Sequence, residues 1–389
     1  MSHRVLFVDA AQCYGGAQRS LIEVLTHLDH ERVKPLLLGA HDSPDGLLHN
    51  ASQRSVPFEK LTAHSWERSF DGIMQAAKDI LKARPIIRDI CQQSQIDLIY
   101  ANGIQAGLLC AIDRPPDVPF VFHHRDVRCP PQALRYAVKR AARTLVGSEY
   151  VKRATLEHLD GRNPDAIEVL VNGLDLSSIR DKAEVYDYRE HFTIPAEHKL
   201  VVLVGDFVEW KRQGLFVEAI EHCIAADPTV HGYIVGGARD TAGFLQEELV
   251  YRQIEQAGQI EHVIMTGTMA NPYPLMRAAD CVVTVADGEP FGRTVVEALA
   301  VGTPVVALRG GGPEEIAADQ PGVILVDEAR PDAISDGILT AFAVSAADRQ
   351  AAATRMDETY ALDLHIERLY QIIQTHAQPG TDSAPADGD

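Results

Sequence analysis

The sequence has no long apolar run. Among its 389 residues, no stretch approaches the roughly 18–20 uninterrupted apolar residues of a membrane-spanning helix, and runs such as residues 200–205 have the length of a strand. The apolar run in the first ten residues is too short for a secretory signal, and no small-residue cleavage site follows it. We therefore predict no bilayer-spanning segment and a cytoplasmic location.

Cysteine is sparse as well. The six cysteines are scattered, with no C-x-x-C pair and no spacing typical of a metal site. We predict neither a disulfide scaffold nor a cysteine-ligated metal, and we expect most of these side chains to be reduced and buried.

Basic residues are scarce in the second half of the chain. The sequence has 36 Lys and Arg against 55 Asp and Glu, a formal net charge of −19. Residues 1–175 hold 21 residues of each sign, whereas residues 176–389 hold 15 basic and 34 acidic ones. Phosphate backbones are held mainly by Lys and Arg, so this distribution argues against nucleic acid as a partner. The neutral first half contains one basic island, at residues 125–153.

Short apolar, β-branched runs alternate with longer amphipathic stretches along the chain. This alternation is typical of a parallel sheet with helices on its faces, and we predict an α/β protein. The predicted strands of the first half are residues 4–9, 34–38, 98–100, 120–123, 144–147 and 167–171. The pattern then restarts, with predicted strands at residues 200–204, 232–235, 262–265, 281–285, 304–307 and 322–326.

Two similar modules in series are the simplest interpretation of this restart. We place the boundary near residue 180, where turn residues and a weakly periodic charged stretch follow the first set of strands. The predicted domains are residues 1–180 and 181–376. An amphipathic helix at 357–374 could pack back across either module. Residues 377–389 are small, polar and rich in Pro and Gly, and we predict a disordered tail there.

The most informative block is VADGEPFGRTVVEALAVGTPVVAL at residues 285–308, which reads as strand, loop, helix and strand. Gly292 permits a tight turn. The N–H groups after it would form a helix N-terminus, where the partial positive charge favours a phosphate. Glu289 in the loop and Glu297 in the helix could contact hydroxyl groups on different parts of one extended ligand. Two solvated glutamates on an ordinary strand-turn-helix are the alternative.

This block resembles the retaining glycosyltransferases of the GT-B fold, specifically the large group called family 4. The pattern of that group has E-x-F-G, a second Glu eight positions after the first, a small helix and G-x-P-V-V. Each of these positions is matched, by Glu289, Phe291, Gly292, Glu297, Gly302, Pro304, Val305 and Val306. The resemblance implies two Rossmann-like domains facing each other across a cleft, with a C-terminal helix that crosses back.

The resemblance also implies roles for residues of the block. Glu289 would contact hydroxyls of the transferred sugar, and Glu297 would hold the nucleotide ribose. The turn would present its amides to the diphosphate through Phe291, Gly292, Arg293 and Thr294.

The segment LVGDFVEWKRQG at residues 203–214 resembles a strand and loop in which the family usually has V-G-R-x-x-x-x-K-G, with Arg and Lys on the donor phosphates. Lys211 is in place, but Asp206 stands at the Arg position and Arg212 at the last Gly. We expect Lys211 to clamp the phosphates and Arg212 to supply a substitute charge.

Further on, Gly267 and Thr268 resemble the base-binding loop of the family, where backbone groups would contact the nucleotide base. The glycines at 310–312 match a family turn that is as consistent with a structural role as with ligand binding. We favour a structural role for Gly236 and Gly237, because glycine allows close packing.

The first module has Gly15 and Gly16 between a strand end and a helix. The segment is not G-x-G-x-x-G and no acidic ribose-binding residue follows, so the dinucleotide fingerprint is absent. It resembles the G-G-A loop of the family, in which the Gly16 N–H would contact a phosphate and Gly15 would lie on the acceptor side.

The segment PFVFHHRDVRCPP at residues 119–131 corresponds to one where many relatives carry a His close to the transferred sugar. Spacing from Pro119 puts Arg125 at that position, directly after His124. Either side chain could hydrogen-bond the sugar or stabilise the charge that develops on the leaving phosphate. Asn102, after the strand at 98–100, would lie beside the acceptor.

From the resemblance we expect retaining transfer of a sugar from a UDP- or GDP-linked donor to a glycan or lipid-linked acceptor, in polysaccharide or glycoconjugate biosynthesis. No cofactor and no metal would be required. The catalytic set would be Glu289, Lys211, Arg125 and His124. The basic island could bring the protein into peripheral contact with the inner membrane surface, and an ordinary solvated helix is the alternative.

Three other functions remain open. An NAD-dependent dehydrogenase shares the double Rossmann architecture but needs the missing glycine fingerprint. A sugar-nucleotide epimerase of the same fold would convert the donor without an acceptor. A non-catalytic sugar-nucleotide-binding or scaffold protein is favoured by Asp206 and Arg125, which depart from the family pattern.

Overall fold

The computed structural model describes residues 2–40, 43, 46–64, 70–112, 114–161, 164–318 and 320–378. The chain divides into two compact units. Unit 1 comprises Met1–Leu174 and Leu362–Asp389, and unit 2 comprises Asp175–Ala361. The division lies a few residues before the boundary predicted near residue 180. The predicted tail lies mostly outside the described residues, which end at 378.

Unit 1 is built on a parallel sheet of seven described strands, in the order β3-β2-β1-β4-β5-β6-β7. Because β2 and β4 lie on opposite sides of β1, the strand order reverses at β1 and β4, the place where ligands of open α/β sheets usually bind. The strands are His3–Asp9 (β1), Val33–Gly39 (β2), Phe58–Lys60 (β3), Leu98–Asn102 (β4), Phe120–His124 (β5), Arg143–Val146 (β6) and Ile167–Val169 (β7).

Helices cover both faces of this sheet. Along β1, Leu6 and Val8 belong to one buried apolar cluster, while Val5 and Phe7 belong to a second one on the opposite face. This alternation follows from the two-residue period of a strand. The helices of residues 1–174 are Gly16–His27 (α1), Leu47–Gln53 (α2), Phe70–Gln93 (α3), Gly103–Ile112 (α4), Pro131–Arg140 (α5) and Glu149–His158 (α6).

Unit 2 repeats the plan with six described strands in the order β10-β9-β8-β11-β12-β13. Its strands are Lys199–Val204 (β8), Val230–Val235 (β9), Val263–Gly267 (β10), Cys281–Thr284 (β11), Val305–Leu308 (β12) and Val323–Val326 (β13). Its helices are Leu176–Ala183 (α7), Tyr188–His191 (α8), Gln213–Ala226 (α9), Thr241–Gln256 (α10), Tyr273–Ala278 (α11), Arg293–Ala300 (α12), Gly312–Ala317 (α13), Pro331–Ala341 (α14) and Ala346–Tyr360 (α15).

The last part of the chain returns to unit 1 as the helix Leu362–His376 (α16). The amphipathic segment predicted at 357–374 is therefore two helices, separated at Ala361, which has extended backbone angles. Leu362, Ile366, Leu369 and Ile373 bury the apolar face of α16 in the same cluster as Val5 and Phe7 of β1.

The predicted α/β class is confirmed, with parallel pairing throughout both described sheets. Five of the six cysteines are buried, as expected, and Cys13 is exposed. Within the described ranges, none of the helices combines the length and the apolar character needed to cross a membrane.

Candidate functional site

In unit 2 the predicted turn lies between β11 and α12, at the carboxyl end of the sheet. Gly292 precedes the first helical residue and has φ +97°, a conformation that a side chain would strain. The loop from β12 to α13 supports this turn from behind. The N–H of Gly312 donates to the Glu289 carbonyl at 2.8 Å, and a Cβ on Gly312 would lie 2.4 Å from the Phe291 carbonyl oxygen. Gly312 therefore has a structural reason to be glycine.

Lys211 and Glu289 form an ion pair with Nζ and Oε2 2.5 Å apart. Both side chains are largely buried, at 17% and 14% exposure, which limits the screening of the pair by water. The aliphatic stem of Lys211 packs over Gly205, and its ammonium lies 4.3 Å from the ring centroid of Trp210. These contacts fix the ammonium beside the Glu289 carboxylate.

A second link joins the same two loops. Arg212 Nη2 lies 3.1 Å from Asp287 Oδ2, and the N–H of Asp287 donates to the Trp210 carbonyl. Arg212 has φ +53°, in the left-handed region. That conformation explains why the similar family pattern has Gly at this position, since Gly adopts it without strain.

Asp206 is not an isolated negative charge at this edge of the sheet. The guanidinium of Arg239, from the loop after β9, lies 2.8 Å from its carboxylate. The backbones of the two loops touch, because a Cβ on Gly236 would lie 2.0 Å from the Gly205 carbonyl oxygen. A cation therefore stands beside the position where the family usually has Arg, although another strand supplies it.

Glu297 is buried inside unit 2, with 2% exposure. Its Oε1 accepts hydrogen bonds from Arg293 Nε at 2.8 Å and from the Tyr273 hydroxyl at 3.3 Å. These donors hold the carboxylate one helical turn behind the first residue of α12.

Gly267 and Thr268 lie at the carboxyl end of β10. Gly267 has φ +69° and its carbonyl accepts from the N–H of Gly236. A Cβ on Gly237 would lie 2.5 Å from the Thr268 hydroxyl. The contacts of Gly236 and Gly237 support the structural role favoured for them.

In unit 1 the glycine loop follows β1. Gly15 caps α1 without a side chain, and Gly16 is exposed with open space around its Cα. The N–H of Gly15 donates to Gln18 Oε1 at 3.2 Å, and Gln18 Nε2 donates to Asp9 Oδ2 at 3.0 Å. The loop is therefore anchored to the buried end of β1.

The predicted residues Asn102 and Arg125 are brought together at the same edge. Arg125 Nε donates to Asn102 Oδ1 at 2.7 Å, and Arg125 Nη1 donates to Asn172 Oδ1 at 2.6 Å. Asn102 Nδ2 in turn donates to Asp9 Oδ2 at 2.6 Å. Burial lowers the pKa of the Arg125 guanidinium and raises the pKa of the Asp9 carboxyl, although the hydrogen bonds to Asp9 oppose the latter shift.

His124 lies elsewhere, within the core of unit 1. Its side chain is 1% exposed, its ring packs against Phe122, and Nε2 lies 3.8 Å from Cys129 Sγ. Burial lowers its pKa to about 4, so the ring is neutral at physiological pH. His123 is equally buried and hydrogen-bonds the Tyr100 hydroxyl. The half-buried Arg125 is thus the better placed of the two predicted candidates.

Sequence reasoning missed Asp9, Gln18, Asn172 and Arg239. A polar residue at or just after the carboxyl end of a strand was the available signal for Asp9 and Asn172. Arg239 gave no local signal, since its proximity to Asp206 follows from the pairing of β8 with β9.

Comparison with known proteins links each half of the chain to a family. Residues 14–178 match the family described as Glycosyltransferase Family 4, and residues 186–355 match Glycosyl transferases group 1. A D-inositol 3-phosphate glycosyltransferase of Segniliparus rotundus is 30% identical over 48% of this chain and 42% of that protein. One from Thermomonospora curvata is 27% identical over 60% of this chain and 57% of that protein. The chain thus spans about half the length of these curated relatives.

Solved structures share the fold over nearly the whole chain. The Anabaena protein HepE, in complex with UDP-glucose, superposes with a TM-score of 0.78 at 23% identity, covering 96% of this chain and 99% of that one. A glycosyltransferase of Rickettsia africae gives a TM-score of 0.80 at 18% identity, covering 96% and 98%. The predicted GT-B class, with two Rossmann-like domains, is confirmed. Together the two family matches show that this chain belongs to the group 1, family 4 glycosyltransferases.

Proposed function

We propose that this protein transfers a sugar from a nucleoside-diphosphate sugar to an acceptor hydroxyl, with retention of the anomeric configuration. The observation that carries the proposal is the Lys211–Glu289 pair beside the Gly292 turn. The largely buried ammonium of Lys211 and carboxylate of Glu289 lie with the N-terminus of α12 at the carboxyl ends of the strands. A diphosphate needs cations and amides, and sugar hydroxyls need a carboxylate.

The chemistry would be mainly stabilisation of charge. As the sugar–oxygen bond breaks, negative charge accumulates on the departing diphosphate. Lys211 and the amides that follow Gly292 would stabilise it, because they are fixed before reaction and need little reorganisation. The acceptor hydroxyl would attack from the same face, and the leaving phosphate would take its proton. Arg125, in unit 1, would add a further cation or a hydrogen bond to the sugar.

Five further residues keep their predicted roles in this proposal. Glu297 would hold the ribose, Gly267 and Thr268 the base, and Gly16 a phosphate. Arg212 would supply a second cation near Lys211.

A uridine nucleotide is the first donor to test, because the similar HepE structure contains UDP-glucose. D-inositol 3-phosphate belongs in the acceptor panel beside glycan and lipid-linked acceptors, since the curated relatives are named for it. A thermal-shift panel of UDP, GDP, ADP and their common sugars identifies the nucleotide, and transfer assays with the stabilising donor then test the reaction. Donor conversion without acceptor would indicate an epimerase, and binding without any turnover would indicate a scaffold protein.

Metal independence is also part of the proposal. In the part of the chain that the structure describes, no group of three or more His, Cys, Asp and Glu side chains could hold a metal ion. Transfer should persist in excess EDTA after dialysis. Activity that vanishes with EDTA and returns with a divalent cation would contradict the electrostatic scheme above.

A membrane contact made through α5 of the basic island would depend on charge. The apolar residues Leu134, Ala137 and Val138 of α5 face the core of unit 1, whereas Lys139 and Arg140 are exposed. No apolar face of α5 is left to enter a bilayer. We propose that this basic surface attracts anionic lipid on the cytoplasmic side of a membrane. Flotation with vesicles of increasing anionic lipid content tests this, and binding that ignores lipid charge would contradict it.

A further inference from the structure

The polar groups under Arg125 form one continuous chain of hydrogen bonds. It runs from the Gly15 N–H through Gln18 to Asp9, then through Asn102 to Arg125 and on to Asn172. All of its members belong to unit 1. They lie at the carboxyl ends of β1, β4 and β5, in the loop that follows β7, and in α1.

Asp9 is the branch point of this chain. It is fully buried, and its Oδ2 accepts from both Gln18 and Asn102, while its Oδ1 accepts from the N–H of Ala11 at 2.9 Å. In each of these three hydrogen bonds, a carboxylate oxygen of Asp9 is the acceptor. A carboxylate suits this environment, since an amide in its place would point at least one N–H at another donor.

The orientation of Asn102 depends on Asp9. Its Nδ2 faces the Asp9 carboxylate, so its Oδ1 is directed at Arg125 Nε. A reversed amide would present N–H groups to a guanidinium that has only donors. On its other side, Arg125 donates to Asn172, whose side chain packs against Gly147.

One end of Arg125 is left for a ligand. Its Nε and Nη1 are engaged, whereas Nη2 makes no hydrogen bond with any residue that the structure describes. The Gly16 N–H is likewise on the exposed start of α1. The Gly16 loop and Arg125, both predicted to contact the substrate, are therefore linked by hydrogen bonds to the same buried carboxylate, that of Asp9.

We propose that Asp9 is a positioning residue, which through Gln18 and Asn102 fixes the glycine loop and the Arg125 guanidinium in one arrangement for the reaction. The inference rests on the proposed function for its catalytic meaning. The structural part of the inference, that Asp9 immobilises Arg125, does not depend on the proposed function and is measured separately.

The test compares Asp9→Asn with Asp97→Asn as a matched control. Asp97 is a mostly buried carboxylate directly before β4, at the amino ends of the strands. Its Oδ2 accepts from the N–H of Arg4. Both variants remove one buried charge from unit 1. Only Asp9→Asn disturbs the chain that leads to Arg125.

Activity is measured as kcat and donor KM. Since small misplacements of a reacting group lower rates strongly, Asp9→Asn should reduce kcat by about tenfold or more, with donor KM changed by less than about threefold because unit 2 would bind most of the donor. Asp97→Asn should keep the wild-type kcat. In the double variant Asp9→Asn, Arg125→Lys, the loss of kcat should be clearly smaller than the product of the two single losses, because groups acting as a unit are not additive. Additive losses, or equal losses in both Asp→Asn variants, would overturn the proposal.

A second readout does not need turnover. The rate at which phenylglyoxal modifies Arg125, followed by peptide mass spectrometry, should rise several-fold in Asp9→Asn and stay unchanged in Asp97→Asn. An unchanged rate in Asp9→Asn would refute the positioning role even if kcat falls. If Asp9→Asn does not fold, Asn102→Leu breaks the branch to Arg125 and carries the same expectation for this rate. Wild-type protein that turns over no nucleotide sugar would refute the proposed function, while the modification rates would still decide the role of Asp9.

Discussion

At the level of single residues, the proposed site depends on charges held at fixed places. Lys211 is the clearest example, because three separate contacts define its position: Glu289, Gly205 and the ring of Trp210. Sequence reasoning identified Lys211 and Glu289 from a local pattern. It could not identify their contact, which joins residues from loops after different strands.

Lys211→Ala and Glu289→Ala should each lower transfer by about two orders of magnitude or more, as the removal of one transition-state contact does. Circular dichroism and thermal unfolding should show that the fold persists. Arg330→Ala is a suitable control, because Arg330 is an exposed residue of unit 2 whose ion-pair partners, Glu328 and Asp332, are exposed as well. Turnover at the wild-type level in both site variants would refute the proposed site.

A substitution at Asp206 should strengthen donor binding, whereas the two preceding substitutions should lower activity. Asp206→Asn removes a negative charge beside Arg239 at the carboxyl edge of the sheet. Since ion pairs at this exposure contribute up to about 1 kcal/mol, the Kd for a nucleoside diphosphate should fall by about two- to fivefold. Calorimetric titration measures this, with Asp332→Asn as the control. Weaker binding by Asp206→Asn would mean instead that the carboxylate is needed to orient Arg239.

At the scale of elements, loops that follow neighbouring strands support one another. The turn at Gly292 has its shape because Gly311 and Gly312, after β12, lie against the backbone of Glu289 and Phe291. The similar family pattern predicted both glycine segments. Only the parallel pairing of β11 with β12 explains why the two belong together.

Gly312→Ala should therefore damage the site without touching a ligand. Its Cβ would come within 2.5 Å of Phe291 Cα, so the turn must move, and nucleotide affinity should fall at least about tenfold because misplaced contacts bind poorly. Gly302→Ala is the matched control. It has φ +81° but open space around its Cα, so it should lose about 1 kcal/mol of stability and keep its affinity. Equal affinity in both variants would contradict the supporting role of Gly312.

Element prediction succeeded where apolar periodicity is strong. The described strands of unit 2 lie within one or two residues of their predicted positions. The strand β3 was missed because it has three residues, all exposed, and therefore has no apolar signal. The break between α15 and α16 was missed because Ala361 is neither Gly nor Pro, and the apolar pattern continues across it.

At the scale of the whole molecule, the two units differ in their buried titratable groups. Unit 1 contains the buried rings of His123, His124 and His365, whose pKa values burial lowers. In His124 and His365 the pKa falls from 6.5 to about 4. Composition could not predict this, since buried and exposed histidines look alike in a sequence.

Unit 1 should consequently lose stability on acidification. In the unfolded chain His124 and His365 bind protons below pH 6.5, whereas in the folded unit these two residues do so only near pH 4. The free energy of unfolding therefore falls as pH drops through this window, by up to about 3 kcal/mol for each histidine. It levels off above pH 6.5.

Hydrogen exchange of peptides from β4 and β5 between pH 4.5 and 7.5 measures this loss in unit 1. His365→Gln should reduce the pH dependence, while His49→Gln, a change at an exposed histidine of the same unit, should not. A stability of unit 1 that stays constant over this range would contradict the burial argument.

In the proposed mechanism the Gly292 turn, with Lys211 and Glu289, binds the diphosphate and sugar of the donor. A crystal structure with the nucleotide sugar selected by the thermal-shift panel tests it most directly. We expect phosphate oxygens within hydrogen-bond distance of the Arg293 and Thr294 amides and of Lys211 Nζ, with sugar hydroxyls on Glu289. A donor bound at another surface, with the Lys211–Glu289 pair unchanged, would contradict it.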